Sequence, residues 1–209
     1  ECNNCRDTMI SIWKEAINLF DRGQNFCVAT IVSQHGSSPR HVGTKFLIRR
    51  DGSTVGTIGG GVFEAEVVTM ALESLKQRCS VVKHFGFKGE DIESSGMICG
   101  GSAHVLIDYH DISDHVRKSI YEKLLIMDSQ RLSGFVVTQT PREAGLIHSG
   151  SLNSLLHDET GLTTGSLKNQ SVVLREIISG QFSLQPHLMS FDNMEYSAFV
   201  EYFSPEDTV

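Results

Sequence analysis

Residues 56–61 (GTIGGG) combine a glycine-rich turn with the predicted start of a helix. Gly59, Gly60 and Gly61 would place free backbone N–H groups at the helix N-terminus, where partial positive charge favours an anion. The alternative is a tight structural turn in which Glu64 caps the backbone of its own helix. The spacing lacks the third glycine of the dinucleotide-binding fingerprint.

A second stretch, residues 36–45 (GSSPRHVGTK), carries the residue types of an oxyanion-binding loop. Ser37 and Ser38 supply hydroxyls, Arg40 can make a bidentate contact, and Lys45 can act as a point charge. Six residues separate the two glycines, whereas a P-loop has four, so the stretch is not a P-loop. Taken alone, a solvated connection between strands is the simpler interpretation.

The third stretch, residues 96–101 (GMICGG), contains a cysteine flanked by glycines. An exposed Cys99 beside Gly100 and Gly101 could ligate a soft metal or act as a nucleophile, and it is the candidate catalytic residue. The alternative is a small buried residue beside a bulge. Cys27 and Cys79 lie in apolar contexts and are predicted to be core residues.

No metal site is predicted. Cys2 and Cys5 have the spacing of zinc ligands, but no second pair follows them. Five cysteines in 209 residues do not resemble a disulfide framework, which favours reduced thiols in a cytoplasmic protein. None of the nine histidines lies in a catalytic pattern.

The elements that must position these stretches alternate between strand and helix, which predicts an α/β fold, with α+β left open. We expect a mixed β-sheet with helices packed on its faces, in one domain over residues 1–209, and any subdivision near residues 129–140. The predicted inner faces are Ile10, Trp13, Ile17 and Phe20 in the first helix, and Ile112, Val116, Ile120, Leu124 and Met127 in the third.

Composition excludes several classes of protein. Lys and Arg total 18 against 25 for Asp and Glu, a formal net charge of −7, which argues against a nucleic-acid binder. Hydrophobic residues make up 40% of the chain, but no apolar run approaches the ~20 residues needed to cross a bilayer. No signal-peptide pattern is present. We therefore expect a cytoplasmic protein without membrane contact.

Taken together, the stretches resemble the XdhC/CoxI family of maturation factors for molybdenum hydroxylases. The resembling residues are 27–32, 36–48, 51–67 and 96–108, in the same order, over about the first 110 residues of the chain. Many family members have a cysteine where this chain has Val62. Many also continue into a C-terminal Rossmann-like domain, which is expected to be absent here because no G-x-G-x-x-G occurs.

The resemblance implies a chaperone that carries the molybdenum cofactor (molybdopterin) as cargo. It implies help with sulfuration of the cofactor and its insertion into a xanthine-dehydrogenase- or CO-dehydrogenase-type apoenzyme. A cysteine desulfurase is an implied further partner, and a homodimer is the implied assembly. The candidate cofactor-binding residues come from the three stretches and the helix that follows the glycine turn: Ser37, Ser38, Arg40, Lys45, Gly59, Gly60, Gly61, Glu64, Cys99, Gly100 and Gly101. Two other functions remain open, namely a small transferase that uses Cys99 and an interaction module without a ligand.

Overall fold

The described strands form two antiparallel sheets. The structure, a computed structural model, describes residues 2–36, 38, 40–87, 101–167, 170–179, 185–190 and 195–204. Its helices are α1 (Cys2–Asp21), α2 (Gly61–Gln77), α3 (His115–Gln130) and α4 (Gln170–Ser179). No helix in these ranges has the length and apolarity needed to cross a bilayer.

The first sheet has the strand order β3-β2-β1-β5-β4-β7, which places β1 and β5 at its centre. Its strands are β1 (Phe26–His35), β2 (Lys45–Ile48), β3 (Thr54–Gly56), β4 (Cys79–Gly86), β5 (Ser102–His110) and β7 (Ile147–Ser149).

The second sheet has the order β10-β11-β6-β8-β9. Its strands are β6 (Gly134–Pro141), β8 (Ser154–Asp158), β9 (Thr163–Gly165), β10 (His187–Ser190) and β11 (Tyr196–Phe203). The predicted α/β class with helices packed on sheet faces is confirmed. Every strand pair in the described residues is antiparallel, which corresponds to the α+β variant of that prediction.

Alternation along β1 gives the first sheet two buried faces. Cys27 and Ala29 pack in one core cluster with Phe63 and other residues of α2. Phe26 and Val28, on the opposite face, pack in a second cluster with residues of α1 and α3. The prediction that Cys27 is a core residue is therefore confirmed.

The second sheet is also covered on both faces. Val137 and Val200 pack against Val173 and Ile177 of α4. On the other face, Phe199 joins a cluster with Leu106 of the first sheet, so the two sheets approach each other there. Helices α1 and α3 lie beside this junction, since both contribute to the second core cluster.

The buried face of α3 differs from the predicted one. Ile120, Leu124 and Met127 are buried as expected, but Ile112 and Val116 are 44% and 46% exposed. Arg117 and Tyr121 are buried in their place. The helix begins only at His115, and the buried ion pair that Arg117 makes (described below) orients its first turn. In α1, Trp13 and Phe20 are buried as predicted, whereas Ile10 and Ile17 are only partly buried.

Arg131 ends α3 in the left-handed backbone region, with φ 56° and ψ 40°. This conformation costs a side-chain-bearing residue about 1 kcal/mol relative to glycine. Because Arg131 is exposed, we expect Arg131→Gly to raise the free energy of unfolding in urea by roughly 0.5–1 kcal/mol. Arg131→Ala keeps the Cβ atom and should give no such gain, so equal effects of the two substitutions would contradict this account.

Candidate functional site

A cavity of about 460 Å³ lies where the two sheets meet α1 and α3. Its walls are largely apolar and include Trp13 of α1, Leu106 of β5, Ile120 of α3 and Phe199 of β11. This volume falls in the range of about 300–1,000 Å³ that is typical of small-molecule sites. Polar and charged side chains also line the cavity, and two groups stand out: an inner group around Asp108 and Arg117, and an outer group around Arg40 and Lys45.

The inner group is built on a buried ion pair between β5 and α3. Arg117 Nη2 lies 3.0 Å from Asp108 Oδ2, and both side chains are more than nine-tenths buried. Arg117 Nη2 also donates to the carbonyl of Leu152, and the Ser80 hydroxyl donates to Asp108 Oδ1. Burial raises the pKa of Asp108, while the charge of Arg117 opposes that rise. The pair carries no net charge, which allows it to remain buried.

His110 and Tyr121 extend the inner group. Tyr121 Oη lies 3.2 Å from His110 Nε2, and both residues line the cavity. Burial lowers the pKa of His110 well below its usual value, and the charges of Arg117 and Lys45 add to this effect. Burial raises the pKa of Tyr121. The imidazole and the phenol are therefore both neutral near pH 7.

Two buried nitrogen atoms of the inner group, His110 Nδ1 and Arg117 Nε, have no hydrogen-bond partner in the described part of the chain. Arg117 also lines a second cavity of about 200 Å³.

The outer group contains the two cations that the sequence singled out, and the structure brings both to the same cavity. Lys45 Nζ lies 2.9 Å from Glu201 Oε1 and donates to the Thr30 hydroxyl. It also lies 5.8 Å from the centre of the Phe199 ring, within the range of a cation–π contact. Arg40 is exposed on the cavity wall. The outer group is thus the more accessible end of the cavity.

The glycine turn forms a separate cluster beside this cavity. The helix α2 begins at Gly61 as predicted, and Gly60 has φ 79° at its N-cap. Glu64 Oε2 accepts hydrogen bonds from the N–H groups of Ile58 and Gly60 and from the Thr57 hydroxyl. Any anion that approaches these N–H groups must therefore compete with the Glu64 carboxylate. Thr57 also lines the cavity, but Gly59, Gly60 and Gly61 do not.

Of the other predicted residues, Ser38 has a buried hydroxyl oxygen without a hydrogen-bond partner in the described residues. Gly101 precedes β5, and its carbonyl accepts from the Phe87 N–H. Neither residue lines the cavity. Ser37, Cys99 and Gly100 lie outside the described residues.

The two described thiols lie in the core. Cys27 and Cys79 are buried, as predicted, and burial raises the pKa of both thiols. Among the residues that the structure describes, no group of three or more His, Cys, Asp or Glu side chains could hold a metal ion.

Sequence reasoning missed the inner group, although two signals were present. Asp108 and His110 lie on one face of β5, directly after the apolar run at residues 105–107. Arg117 and Tyr121 are four residues apart and therefore share one face of α3. Each signal alone fits a solvated face, and only the packing of α3 onto β5 makes them one buried cluster.

Three comparisons relate the chain to known proteins. The sequence model of the XdhC and CoxI family matches residues 19–86. Over 126 residues the chain is 32% identical to the uncharacterized protein YqeB of Escherichia coli (strain K12), covering 56% of this chain and 23% of that protein. A crystal structure from Bacillus halodurans, described as a xanthine dehydrogenase, matches with a TM-score of 0.63 at 20% identity. That match covers 90% of this chain and 52% of the other.

These findings confirm the resemblance to the XdhC/CoxI family. The matched residues 19–86 include β1, β2, β3 and α2, which carry Lys45 and the glycine turn. The likeness to the Bacillus halodurans structure shows that the fold is shared. The chain spans about a quarter of YqeB and about half of the Bacillus halodurans chain.

The buried imidazole of His110 should make stability depend on pH. In the folded state it stays neutral, whereas in the unfolded state it binds a proton as the pH falls below about 6.5. The unfolded state then holds more protons, so stability falls toward acid by up to about 1.4 kcal/mol per pH unit from this group.

We expect His110→Phe to flatten the urea-unfolding free energy between pH 6.5 and 5 relative to the unsubstituted protein. Phe fits this position because His110 already packs against Phe20, Phe26 and Tyr121. The exposed His115 serves as the control position. A profile that His110→Phe and His115→Phe change equally would refute the assignment.

Proposed function

We propose that this chain acts in the maturation of a molybdenum hydroxylase by carrying the molybdenum cofactor as its cargo. The observation that carries the proposal is the cavity that brings Arg40 and Lys45 together beside apolar walls. The resemblance over residues 19–86 supports the same process. A carrier needs binding and release, and no chemical step on the cargo is assigned to this cavity.

The residues of the cavity fit the chemistry of the cargo. Molybdopterin has a flat heterocyclic part and a phosphate, and these match aromatic walls with a cationic end. Trp13, Phe199 and Phe203 supply aromatic surface, and Arg40 and Lys45 supply donors that suit a phosphate. The phosphate is placed at the outer group rather than at Gly59–61, because Glu64 already binds the backbone of that turn.

Transfer then takes place by contact with an apoenzyme of the xanthine- or CO-dehydrogenase type. A cysteine desulfurase is the proposed sulfur donor and a homodimer the proposed assembly, both in the cytoplasm. The apoenzyme, the desulfurase and the homodimer follow from the family resemblance, and the cytoplasmic location follows from the cysteine usage. The small transferase and the interaction module are the alternatives that the binding experiment separates.

The proposal is tested by incubating the purified chain with molybdenum cofactor, removing the excess and measuring retained molybdenum and pterin. We expect stoichiometric retention that weakens as ionic strength rises, since partly exposed charges are screened by salt. Arg40→Ala should weaken retention by about tenfold, the loss expected for a charge-assisted contact. Arg50→Ala is the matched control, because Arg50 is exposed and does not line the cavity.

Retention that is unaffected by Arg40→Ala and by salt would exclude the outer group as the phosphate site. Lack of retention together with turnover of a substrate would favour the transferase. If neither retention nor turnover is found, the interaction module is favoured.

Cys99 is the proposed functional thiol, since it can accept sulfur or ligate a soft metal as a thiolate. We expect native alkylation, mapped by peptide mass spectrometry, to label Cys99 well ahead of the buried Cys27 and Cys79. Cys99→Ser should impair sulfuration or retention of the cofactor with little change in stability. Full sulfuration and retention by Cys99→Ser would show that the thiol has no role.

A further inference from the structure

Glu201 neutralises one of the two cations on which the proposed function depends. Lys45 lies at the start of β2 in the first sheet, and Glu201 lies on β11 in the second sheet. Their side chains are only 14% and 15% exposed, and both line the cavity. The ion pair therefore spans the two sheets at the position where an anionic ligand would contact Lys45.

A carboxylate of the chain also occupies the glycine turn at residues 56–61. Glu64 holds the N–H groups of Ile58 and Gly60, which an anion would otherwise contact. A carboxylate of the chain itself thus binds the glycine turn and one of the two cations of the other predicted anion site.

We propose that Glu201 is a built-in competitor that sets the anion specificity of the cavity, so that ligands enter by displacing its carboxylate from Lys45. This inference rests on the proposed function and names the chemical class that can enter, a phosphate or phosphate monoester. Such a group carries about −1.5 to −2 charge near neutral pH and three strong acceptor oxygens. Lys45 and the exposed Arg40 both line the cavity that such a group would enter. A carboxylate ligand, with a single charge, gains little by replacing another carboxylate.

The displaced carboxylate stays near other cationic and polar groups. The negative charge of Glu201 contributes to the raised pKa of Arg117, so Glu201 lies within electrostatic range of the inner group. Its carboxylate is therefore not left without favourable charges when a ligand takes Lys45. When the ligand leaves, the same carboxylate returns to Lys45. A competitor of this kind limits affinity and makes release easier, which suits a carrier.

The experiment uses inorganic phosphate and acetate as probes. The chain has a single tryptophan, and that residue, Trp13, lines the cavity, so its fluorescence reports occupancy. Glu201→Gln removes the charge but keeps the shape and an oxygen acceptor for Lys45. We expect this variant to bind phosphate about tenfold more tightly than the unsubstituted chain, with a steeper salt dependence. Acetate should gain by a larger factor than phosphate, so that discrimination between the two anions falls, and equal gains for both anions would overturn the specificity role of Glu201.

The matched control is Glu15→Gln. Glu15 pairs with Arg49 at 2.7 Å, with side chains 20% and 27% exposed, and does not line the cavity. It therefore corrects for the loss of one negative charge and of one ion pair. In a double variant, Lys45→Met should abolish the gain that Glu201→Gln produces, because the gain acts through Lys45. Urea unfolding of each variant checks that it is folded.

Phosphate affinity that is unchanged or reduced in Glu201→Gln would overturn the inference and leave the pair as a structural contact between the sheets. An equal gain in Glu15→Gln, or a gain that survives Lys45→Met, would overturn it as well. Binding detected only in Glu201→Gln would support it. The proposed function can fail independently of this inference. It fails if the unsubstituted chain retains no molybdenum cofactor while the phosphate results hold.

Discussion

The buried ion pair between Asp108 and Arg117 holds together the parts of the chain that enclose the cavity. Asp108 lies on β5 at the centre of the first sheet, and Arg117 lies on the first turns of α3. Arg117 also binds the carbonyl of Leu152, shortly before β8 of the second sheet. Because each charge is buried, loss of either partner would leave the other unpaired at a cost of about 3–5 kcal/mol. The orientation of α3 against both sheets follows from this constraint.

The ion pair also lines the cavity at the junction between the sheets. Apolar side chains close the core on either side, through the clusters around Ala29 and Val137. At the junction, Asp108, His110 and Lys45 lie among apolar walls, and Arg117, Tyr121 and Glu201 supply their polar partners. The result is a cleft with apolar walls and a few polar groups, which is the usual composition of a small-molecule site.

Charge in this cavity is compensated locally. Arg117 pairs with Asp108, Lys45 pairs with Glu201, and the N–H groups of the nearby glycine turn bind Glu64. Such compensation stabilises the chain without a ligand and reduces the attraction for any single anion. It is consistent with a protein that holds a charged cargo and must also give it up, as proposed from the family resemblance and the cavity.

Much of the local structure could be predicted from the sequence, because it depends on neighbours in the chain. The helix start at Gly61 and the core position of Cys27 follow from the glycine turn and from the apolar neighbours of Cys27. The resemblance to the XdhC/CoxI family depends on motifs in a fixed order along the chain, so it could also be identified from the sequence. Periodicity could not decide whether Val116 or Arg117 faces inward, since both lie about one turn before Ile120.

The tertiary structure determined contacts that local sequence patterns cannot predict. Arg117 is buried because packing places it 3.0 Å from Asp108, and Lys45 is neutralised because a strand near the end of the chain brings Glu201 to it. Both contacts join residues on different elements, so they depend on how the sheets and helices pack against each other. The sequence alone therefore determined which residues could bind an anion. Only the fold determined which of them share a cavity and which are already paired, because the energy of a charge depends on its neighbours in space.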